Sequence, residues 1–259
     1  MSALLGVGVL VTRPEQQAMP LCRLLAAQGA ASFQFPAIDV QPLGARRELA
    51  ARLGNLERFD WIIFVSANAV RFGAHLLDQK RDLHLAAVGP ATTRALNQAG
   101  YRVEMVPAEG FDSEGLLADS RLQNLEGRHV LLVKGSGGRE QLAKSLGERG
   151  AIVELAPVYE RVPAAPSATE LAELERHFAA DSIQVITATS AEIGASLLRL
   201  ATPRLREDFE RAHWLVPSTR VAESLAQLGL RAPLIEAASA EDQDLVAALV
   251  RWRSSASGA

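Results

Sequence analysis

The chain has 259 residues, of which 48% are hydrophobic and 22% charged, and its formal net charge is −3. This composition is typical of a folded globular protein, and the length favours two domains because single cores seldom grow beyond about 250 residues. Charges of both signs are interspersed, which argues against nucleic acid as the partner. No apolar run approaches the roughly 20 residues that span a bilayer, and the single cysteine, Cys22, excludes an internal disulfide. We therefore expect a cytoplasmic protein that binds neither nucleic acid nor a membrane.

Short apolar runs alternate along the chain with segments of helical spacing, a pattern that predicts parallel sheets with helices on both faces. Four helical segments end at Gly29, Gly100, Gly150 and Gly229, and such glycines are typical of left-handed helix C-termini. The predicted strands, in chain order, are Val7–Thr12, Trp61–Ser66, Leu85–Gly89, Val103–Pro107, His129–Gly135, Ile183–Thr189, Trp214–Ser218 and Leu234–Ala237. The sequence therefore predicts an α/β protein.

An internal repeat relates parts of the chain that lie far apart in sequence. At a shift of 121 residues, the segment VLVTRP aligns with VLLVKG. The aligned pairs are Arg13 with Lys134, Gly29 with Gly150 and Pro36 with Pro157 at a shift of 121, Ser66 with Ser190 at 124, and Leu96 with Leu225, Gln98 with Gln227 and Gly100 with Gly229 at 129. The repeated pieces are nested in the order A-B-B′-A′.

The nested order predicts two flavodoxin-like parallel-sheet domains, one inserted into the other. The inserted domain spans residues 39–161, and residues 1–37 and 163–259 form the second domain from the two chain ends. The crossings lie near 35–41 and 156–162, two extended segments that could lie side by side as a two-strand hinge. Doubly wound sheets bind ligands beyond the carboxyl ends of their strands, so we expect the ligand in a cleft there.

A glycine-rich loop, Lys134–Arg139, follows one predicted strand and has the chemistry to bind an anion. Backbone N–H groups at a helix start, together with two cationic side chains, suit a carboxylate or a phosphate. The loop is neither a dinucleotide fingerprint nor a P-loop, because Glu140 replaces the third glycine and no Gly-Lys-Ser/Thr ending follows. The alternative is a tight turn in which the glycines serve backbone geometry alone. The candidate anion-binding residues are Lys134, Gly135, Ser136, Gly138 and Arg139.

Four predicted turns from strand to helix carry hydroxyl groups. Such residues commonly cap helix N-termini, where each stabilises the helix by about 1 kcal/mol. Several hydroxyls at the carboxyl ends of strands could also donate to a polyanion, and the two roles are compatible. The candidate residues in these turns are Ser66, Thr92, Ser190, Ser218 and Thr219.

Two further candidates follow from their positions in the repeat and the crossings. Arg13 comes after the first strand and aligns with Lys134; the alternative is a solvated surface arginine. Tyr159, one of two tyrosines, lies in the second crossing, where its phenol could face the cleft or pack with its hydroxyl in water. The five histidines form no pair with metal-ligand spacing, and no Gly-x-Ser-x-Gly motif occurs. We therefore expect no metal and no other cofactor.

Five segments, taken in their order and spacing, carry a resemblance to a known family: Phe64–Val70, Ala87–Thr92, Ser113–Leu117, Gly135–Arg139 and Val158–Tyr159. With the nested repeat, they resemble the uroporphyrinogen-III synthases over nearly the whole chain. The Gly-Pro-x-Thr turn of that family's second half is here Pro217–Arg220, so the donors on that side differ from the family pattern.

The resemblance implies an enzyme, a hydro-lyase of haem, sirohaem and cobalamin biosynthesis. Its substrate would be hydroxymethylbilane, a linear tetrapyrrole with eight carboxylates, which it would close to uroporphyrinogen III with inversion of ring D and loss of water. Tyr159 would donate a hydrogen bond or a proton to the departing hydroxyl, and the hydroxyl-bearing turns and the Gly135–Arg139 loop would hold the carboxylate arms. We expect a monomer that contacts, transiently, the enzyme that makes hydroxymethylbilane. The alternative is a non-catalytic, two-lobed protein that binds a small anionic metabolite.

Overall fold

The structure is a computed structural model that describes residues 2–44, 46–77, 83–107, 110, 112–137 and 140–256. Its contacts divide the chain into two compact units. The terminal unit consists of Met1–Asp39 and Val162–Ala259, and the inserted unit is Val40–Arg161. That these units correspond to folding domains with boundaries at 37–39 and 161–163 stays a prediction.

Strands and helices alternate along most of the chain, with short 3-10 turns at Leu56–Arg58, Ala74–Leu77 and Ser120–Leu122. In chain order the elements are β1 (Gly8–Val11), α1 (Glu15–Ala27), β2 (Ala31–Gln34), β3 (Ile38–Pro42), α2 (Arg46–Leu53), β4 (Trp61–Phe64), α3 (Ala67–Gly73), β5 (Leu85–Ala87), α4 (Pro90–Gln98), α5 (Ser113–Leu117), β6 (His129–Gly135), α6 (Gln141–Glu148), β7 (Ile152–Pro163), α7 (Ala168–Ala179), β8 (Val185–Thr187), α8 (Ala191–Leu200), α9 (Pro203–Arg211), β9 (His213–Val216), α10 (Thr219–Gln227), β10 (Leu234–Glu236) and α11 (Asp242–Ala256).

The terminal unit is built on a five-stranded sheet with the order β10-β9-β8-β1-β2, in which all neighbouring strands are parallel. Numbered along the chain, this is the 2-1-3-4-5 order of flavodoxin-like folds. The strands are apolar and buried because helices cover both faces of the sheet. Trp214 and Phe209 pack in the core on one face, and Leu21 and Leu249 pack in the core on the other.

The inserted unit contains the second sheet, with the order β3-β7-β6-β4-β5. Strands β4, β5, β6 and β7 pair in parallel. The crossing strands β3 and β7 are neighbours; the Leu43 N–H donates to the Val158 carbonyl at 3.1 Å, and the Ala164 N–H donates to the Ala37 carbonyl at 3.1 Å. From Ala37 to Leu43 the residue numbers of the partners fall, from Ala164 to Val158, so the pair is antiparallel. The two sheets confirm the predicted α/β fold class.

The repeat found in the sequence aligns whole elements of the structure. A shift of 129 residues carries α4 onto α10, and a shift of 124 carries β4 and α3 onto β8 and α8. A shift of 121 carries the start of the β1 and β2 pair onto that of β6 and β7. The strand orders β2-β1-β8-β9 and β7-β6-β4-β5 therefore correspond position by position. The helix-ending glycines Gly29, Gly100, Gly150 and Gly229 have φ values of 84°, 86°, 90° and 89°, which confirms their left-handed conformation.

Two details of the strand prediction were wrong. The segment Val103–Pro107 does not form a strand; Met105 makes only an isolated bridge to Ala86. Strand β2 was not among the predicted apolar runs, because it lies at a sheet edge and its residues, Ala-Ser-Phe-Gln, are exposed or half-buried. An edge strand has one unpaired side and needs less apolar sequence. Within the described ranges, no helix has both the length and the apolar character needed to cross a bilayer.

Candidate functional site

The parallel strands of the inserted unit bring several predicted residues to one edge of its sheet. Ser66 follows β4, Thr92 lies in the first turn of α4 after β5, Gly135 ends β6, and Tyr159 lies in β7 beside Gly135. We call this set, together with Asn68 and Lys134, the inserted-unit edge. It lies at the carboxyl ends of parallel strands, where α/β sheets bind their ligands.

Tyr159 is buried, with 5% of its surface exposed. Its hydroxyl oxygen lies 3.2 Å from Ser66 Oγ, and its ring centroid lies 5.9 Å from that of Phe72. The Ser136 N–H donates to the Tyr159 carbonyl at 2.6 Å, which holds the end of β6 to this point of β7. The phenol therefore packs in the core of the inserted unit with its hydroxyl beside Ser66, and that it faces the ligand stays a prediction.

Gly135 lies directly under the Tyr159 ring. The register of β6 and β7 shifts between Lys134 and Gly135, and this irregularity places Gly135 opposite Tyr159. A Cβ atom added at Gly135 would lie 2.7 Å from both Cε2 and Cζ of the ring. Real Cβ atoms essentially never make contacts shorter than 3.0 Å, so the ring occupies the space of a side chain at this position.

The rest of the glycine-rich loop is more open. The Lys134 side chain is half-buried and makes no ion pair with any residue that the structure describes. Ser136 and Gly137 are exposed, and Gly137 has a φ of 68°, in the left-handed region that favours glycine. Gly138 and Arg139 lie outside the described residues. Lys134 therefore carries a positive charge at this edge that no described carboxylate neutralises.

Ser66 and Ser190, which align in the repeat, both cap helices. Ser66 Oγ accepts the Ala69 N–H at 3.1 Å, and Ser190 Oγ accepts the Ile193 N–H at 3.2 Å. The predicted capping role is confirmed for these two serines. Ser66 differs from Ser190 in having a second partner, the phenol of Tyr159.

Two polar side chains at the inserted-unit edge are buried without a hydrogen-bond partner among the described residues. Thr92 is 4% exposed and Asn68 is 9% exposed. Among the described residues, the side-chain atoms that are fully buried without a partner are His129 Nδ1 and Asp208 Oδ2, so the polar atoms of Thr92 and Asn68 reach the surface, where they are accessible to a ligand. Asn68 was not a candidate in the sequence analysis. The available signal was its amide in the first turn of α3, between alanines on a mostly buried helix.

Arg13, in the terminal unit, is engaged with its own protein. It is 8% exposed and forms an ion pair through Nη1 with Asp242. Nη2 donates to the Ala240 carbonyl, and Nε donates to Thr189 Oγ1 at 3.3 Å. The alternative of a solvated surface arginine is therefore wrong. Nη1 and Nη2 hold the start of α11 against the end of β1, and Nε contacts the residue two positions after β8.

The other predicted residues of the terminal unit also lie at the carboxyl ends of its strands. Ser218 begins α10 without a side-chain capping bond, and Thr219 Oγ1 donates to a Glu236 carboxylate oxygen at 2.9 Å. We call Arg13, Ser190, Ser218 and Thr219 the terminal-unit edge. Two carboxylates, Asp242 and Glu236, are therefore bound to members of this edge.

Two cavities in the described part of the molecule lie away from the predicted site residues. In the inserted unit a cavity of about 370 Å³ lies at the amino-terminal ends of the strands and includes Asp60 and Arg121. The hydrogen bond from Arg121 lowers the pKa of Asp119 despite partial burial, and Asp60 accepts bonds from Arg128 and from the His129 N–H. A cavity of about 470 Å³ in the terminal unit lies between β2 and α7. Neither cavity is lined by a predicted site residue.

Among the residues that the structure describes, no group of three or more histidine, cysteine, aspartate or glutamate side chains is placed to hold a metal ion. The edge residues are instead hydroxyls, an amide, an ammonium group and backbone N–H groups. Such donors suit an anionic ligand.

Comparison with known proteins gives one consistent result. A model of the family "Uroporphyrinogen-III synthase HemD" matches residues 20–247. The uroporphyrinogen-III synthase of Escherichia coli (strain K12) is 30% identical over 234 residues, which cover 86% of this chain and 92% of that protein. The enzyme of Salmonella typhimurium is 31% identical over 230 residues, with 86% and 92% covered.

Two solved structures are similar in fold. Uroporphyrinogen-III synthetase from Helicobacter pylori has a TM-score of 0.65 and 14% identity, covering 95% of this chain and 99% of that one. A mutant uroporphyrinogen III synthase from Thermus thermophilus has a TM-score of 0.57 and 18% identity, covering 98% and 100%. At these identities the similarity concerns the fold.

Proposed function

Since the chain belongs to the uroporphyrinogen-III synthase family, we propose that it cyclises hydroxymethylbilane to uroporphyrinogen III, as a hydro-lyase. The observation that carries the assignment of the site is the buried phenol of Tyr159, whose hydroxyl lies 3.2 Å from Ser66 Oγ at the inserted-unit edge. A non-catalytic binding protein is not favoured, because the family and its named relatives are enzymes.

The reaction begins with loss of the terminal hydroxyl of the substrate. The neighbouring pyrrole supplies the electron pair that breaks the C–O bond and becomes an azafulvene, while Tyr159 donates its phenolic proton to the departing oxygen, which leaves as water. The substituted carbon of the last pyrrole then attacks to give a spiro intermediate. The bond from that carbon to its original bridging methylene breaks, and the methylene bonds instead to the free α-carbon of the same pyrrole, so ring D is inverted as the macrocycle closes. The proton lost from the pyrrole on rearomatisation balances the one that Tyr159 gave.

Little acid–base chemistry is required of the protein, because the pyrroles provide the electron push. Its main contribution is orientation: it holds the two ends of the tetrapyrrole together and directs attack to the substituted carbon. Preorganisation of this kind can supply several kcal/mol of the barrier. No metal, nucleotide or covalent intermediate with the protein is needed for these steps.

Carboxylate arms of the substrate are bound, in this proposal, mainly by donors that have no partner among the described residues. At the inserted-unit edge these are the Lys134 ammonium, the Thr92 hydroxyl, the Asn68 amide and the N–H groups of the loop that begins at Gly135. Gly138 and Arg139 remain predicted members of that loop. Ser190, Ser218 and Thr219 are the proposed binding residues of the terminal unit, and Thr219 exchanges its bond to Glu236 for one to the substrate. The contacts of Arg13 support a structural role instead of a substrate-binding one.

Several broader features complete the proposal. The antiparallel pairing of the crossing strands β3 and β7 supports a two-strand hinge. A cytoplasmic location is supported by the single cysteine, which is buried and free. We still expect the protein to be a monomer. We also expect it to make a transient contact with the enzyme that produces hydroxymethylbilane.

Product isomer analysis tests the proposal. Purified protein, treated with a chelator, is mixed with freshly generated hydroxymethylbilane, and the ring isomers are separated by chromatography. Unassisted closure gives the non-inverted type I ring, so we expect the protein to divert nearly all product to type III. An isomer ratio equal to that of a protein-free control would refute the enzymatic proposal, and dependence on an added metal would refute the mechanism.

A further inference from the structure

We infer that Gly135 and Ser66 are positioning residues for Tyr159. Gly135 leaves the space in which the phenol ring lies, and Ser66 holds the phenolic oxygen and donates to it as the proton departs. This inference rests on the proposed function, since it concerns the proton donor of that reaction. It gives both residues a task beyond the binding of substrate carboxylates.

The backbone at position 135 does not itself require glycine. Gly137, two residues later, has a φ of 68°, whereas Gly135 is not in the left-handed region. What excludes a side chain at 135 is the Tyr159 ring, whose Cε2 and Cζ would lie 2.7 Å, and Oη 3.1 Å, from an added Cβ. The ring cannot easily move away, because it is 5% exposed and packs within the core of the inserted unit beside Phe72. Gly135 therefore provides the space in which the phenol ring lies.

The hydrogen bonds of Ser66 define how it can act on the phenol. Its Oγ already accepts the Ala69 N–H at 3.1 Å, and its own proton has no acceptor among the described residues other than Tyr159 Oη at 3.2 Å. Before the reaction either hydroxyl can donate to the other. Once Tyr159 has given its proton to the leaving group, only Ser66 can donate. The bond then becomes charge-assisted, so it is stronger in the transition state than in the ground state.

The repeat provides an internal comparison that separates capping from positioning. Ser190 aligns with Ser66 and makes the same capping bond, to the Ile193 N–H. The position that aligns with Tyr159 is Ile38, so the terminal unit has no phenol for Ser190 to contact. In the substrate-free protein, replacing Ser190 with alanine removes a capping bond and no contact with a phenol, whereas replacing Ser66 removes a capping bond and the partner of the phenol.

A spectroscopic experiment tests the Ser66 contact without relying on activity. The chain has two tyrosines, so protein labelled with 13C at tyrosine Cζ gives two signals, and Tyr101→Phe assigns them. We expect Ser66→Ala to shift the Tyr159 signal and Ser190→Ala to leave it in place. Unchanged Tyr159 signals in Ser66→Ala would overturn the inference. If the wild-type chain formed no type III product, the proposed function would fail while this result still stood.

Kinetics test the same contact in the reaction. We expect Ser66→Ala to lower kcat by about tenfold or more, as for a lost hydrogen bond to a charged group, with a smaller change in KM. Ser66→Thr keeps the hydroxyl and should restore kcat to within about threefold of wild type. A rise in KM with kcat unchanged would overturn the inference. It would mean that Ser66 binds the substrate equally well in the ground state and in the transition state.

A double-mutant cycle tests Gly135. We expect Gly135→Ala to lower kcat by about tenfold or more in the wild type, but by less than about threefold in Tyr159→Phe, because residues that act as a unit are not additive. Equal losses of kcat in both backgrounds would mean that Gly135 acts only through the glycine-rich loop and not through Tyr159, which would overturn the inference. If Gly135→Ala does not fold, Gly135→Ala/Tyr159→Leu lacks the clashing ring atoms and should fold; failure of the pair to fold would equally contradict the steric argument.

Discussion

The terminal and inserted units share a four-strand order yet differ in the chemistry of their edges. Where the inserted unit has Tyr159 and Thr92, the aligned positions of the terminal unit are Ile38 and Val221. Lys134 makes no ion pair with a described residue, whereas its counterpart Arg13 is paired with Asp242. The two units thus share a fold, while polar groups without a partner among the described residues lie at the edge of the inserted unit.

The same difference appears in the charges at the two edges. Two carboxylates are bound to members of the terminal-unit edge, Asp242 to Arg13 and Glu236 to Thr219. An anionic substrate gains little from a cation that is already neutralised by a carboxylate. We propose that the inserted-unit edge carries the reacting group and the free charge, and that the side chains of the terminal-unit edge contribute more to the stability of their own unit.

The largest expected effect comes from removing the phenolic oxygen that only the inserted unit has. Tyr159→Phe keeps the ring over Gly135 and should leave folding nearly intact. We expect kcat to fall by about 10²–10⁴-fold, as for a lost general acid, with little change in KM. Steady-state kinetics with product isomer analysis measures both. Wild-type turnover and isomer purity in this variant would return Tyr159 to a packing role.

The next effect contrasts the two aligned cations. Arg13→Met leaves Asp242 and the Ala240 carbonyl without their partner, so we expect a loss of about 2 kcal/mol of unfolding free energy. Lys134→Met breaks no ion pair with a described residue and should change stability by less than about 0.5 kcal/mol while raising KM. Urea unfolding and kinetics distinguish the two variants. Equal destabilisation by both would remove the contrast between the edges.

How far the sequence predicted this division can be judged from particular residues. Periodic apolar runs and helix-ending glycines predicted the α/β fold and the repeat, because backbone geometry and burial leave direct sequence signals. Capping by Ser66 and Ser190 was predicted for the same reason. The engagement of Arg13 was not predicted, since Asp242 lies 229 residues away in the chain. Nor could the sequence show that Gly135 lies under Tyr159, because that contact depends on an irregular strand register.

A smaller effect is expected where the inserted unit takes the residue of the terminal unit. Thr92→Val introduces the side chain of the aligned Val221 and removes a buried hydroxyl that has no partner among the described residues. We expect KM to rise about tenfold, the cost of one hydrogen bond to a charged group. The free energy of unfolding should stay about constant, since no hydrogen bond to a described residue is lost. A marked loss of stability would show that the hydroxyl serves the fold.

The smallest effect concerns the cap that the two units share. Ser190→Ala removes the acceptor of the Ile193 N–H and should lower the free energy of unfolding by about 1 kcal/mol. Ser66→Ala should lower the free energy of unfolding by a similar amount, and urea unfolding of the two variants compares these losses. A much larger loss at Ser66 alone would mean that its contact with Tyr159 also stabilises the native core.

The most direct test of the account compares the two edges in one assay. One variant combines Tyr159→Phe with Thr92→Val, and the other combines Ser218→Ala with Thr219→Val; kcat and KM for formation of the type III isomer are measured for both. We predict that kcat falls by about 10²-fold or more in the first variant, and that the second shows mainly a higher KM with kcat within about threefold of wild type. An equal or greater loss of kcat in the second variant would contradict the assignment of the chemistry to the inserted unit.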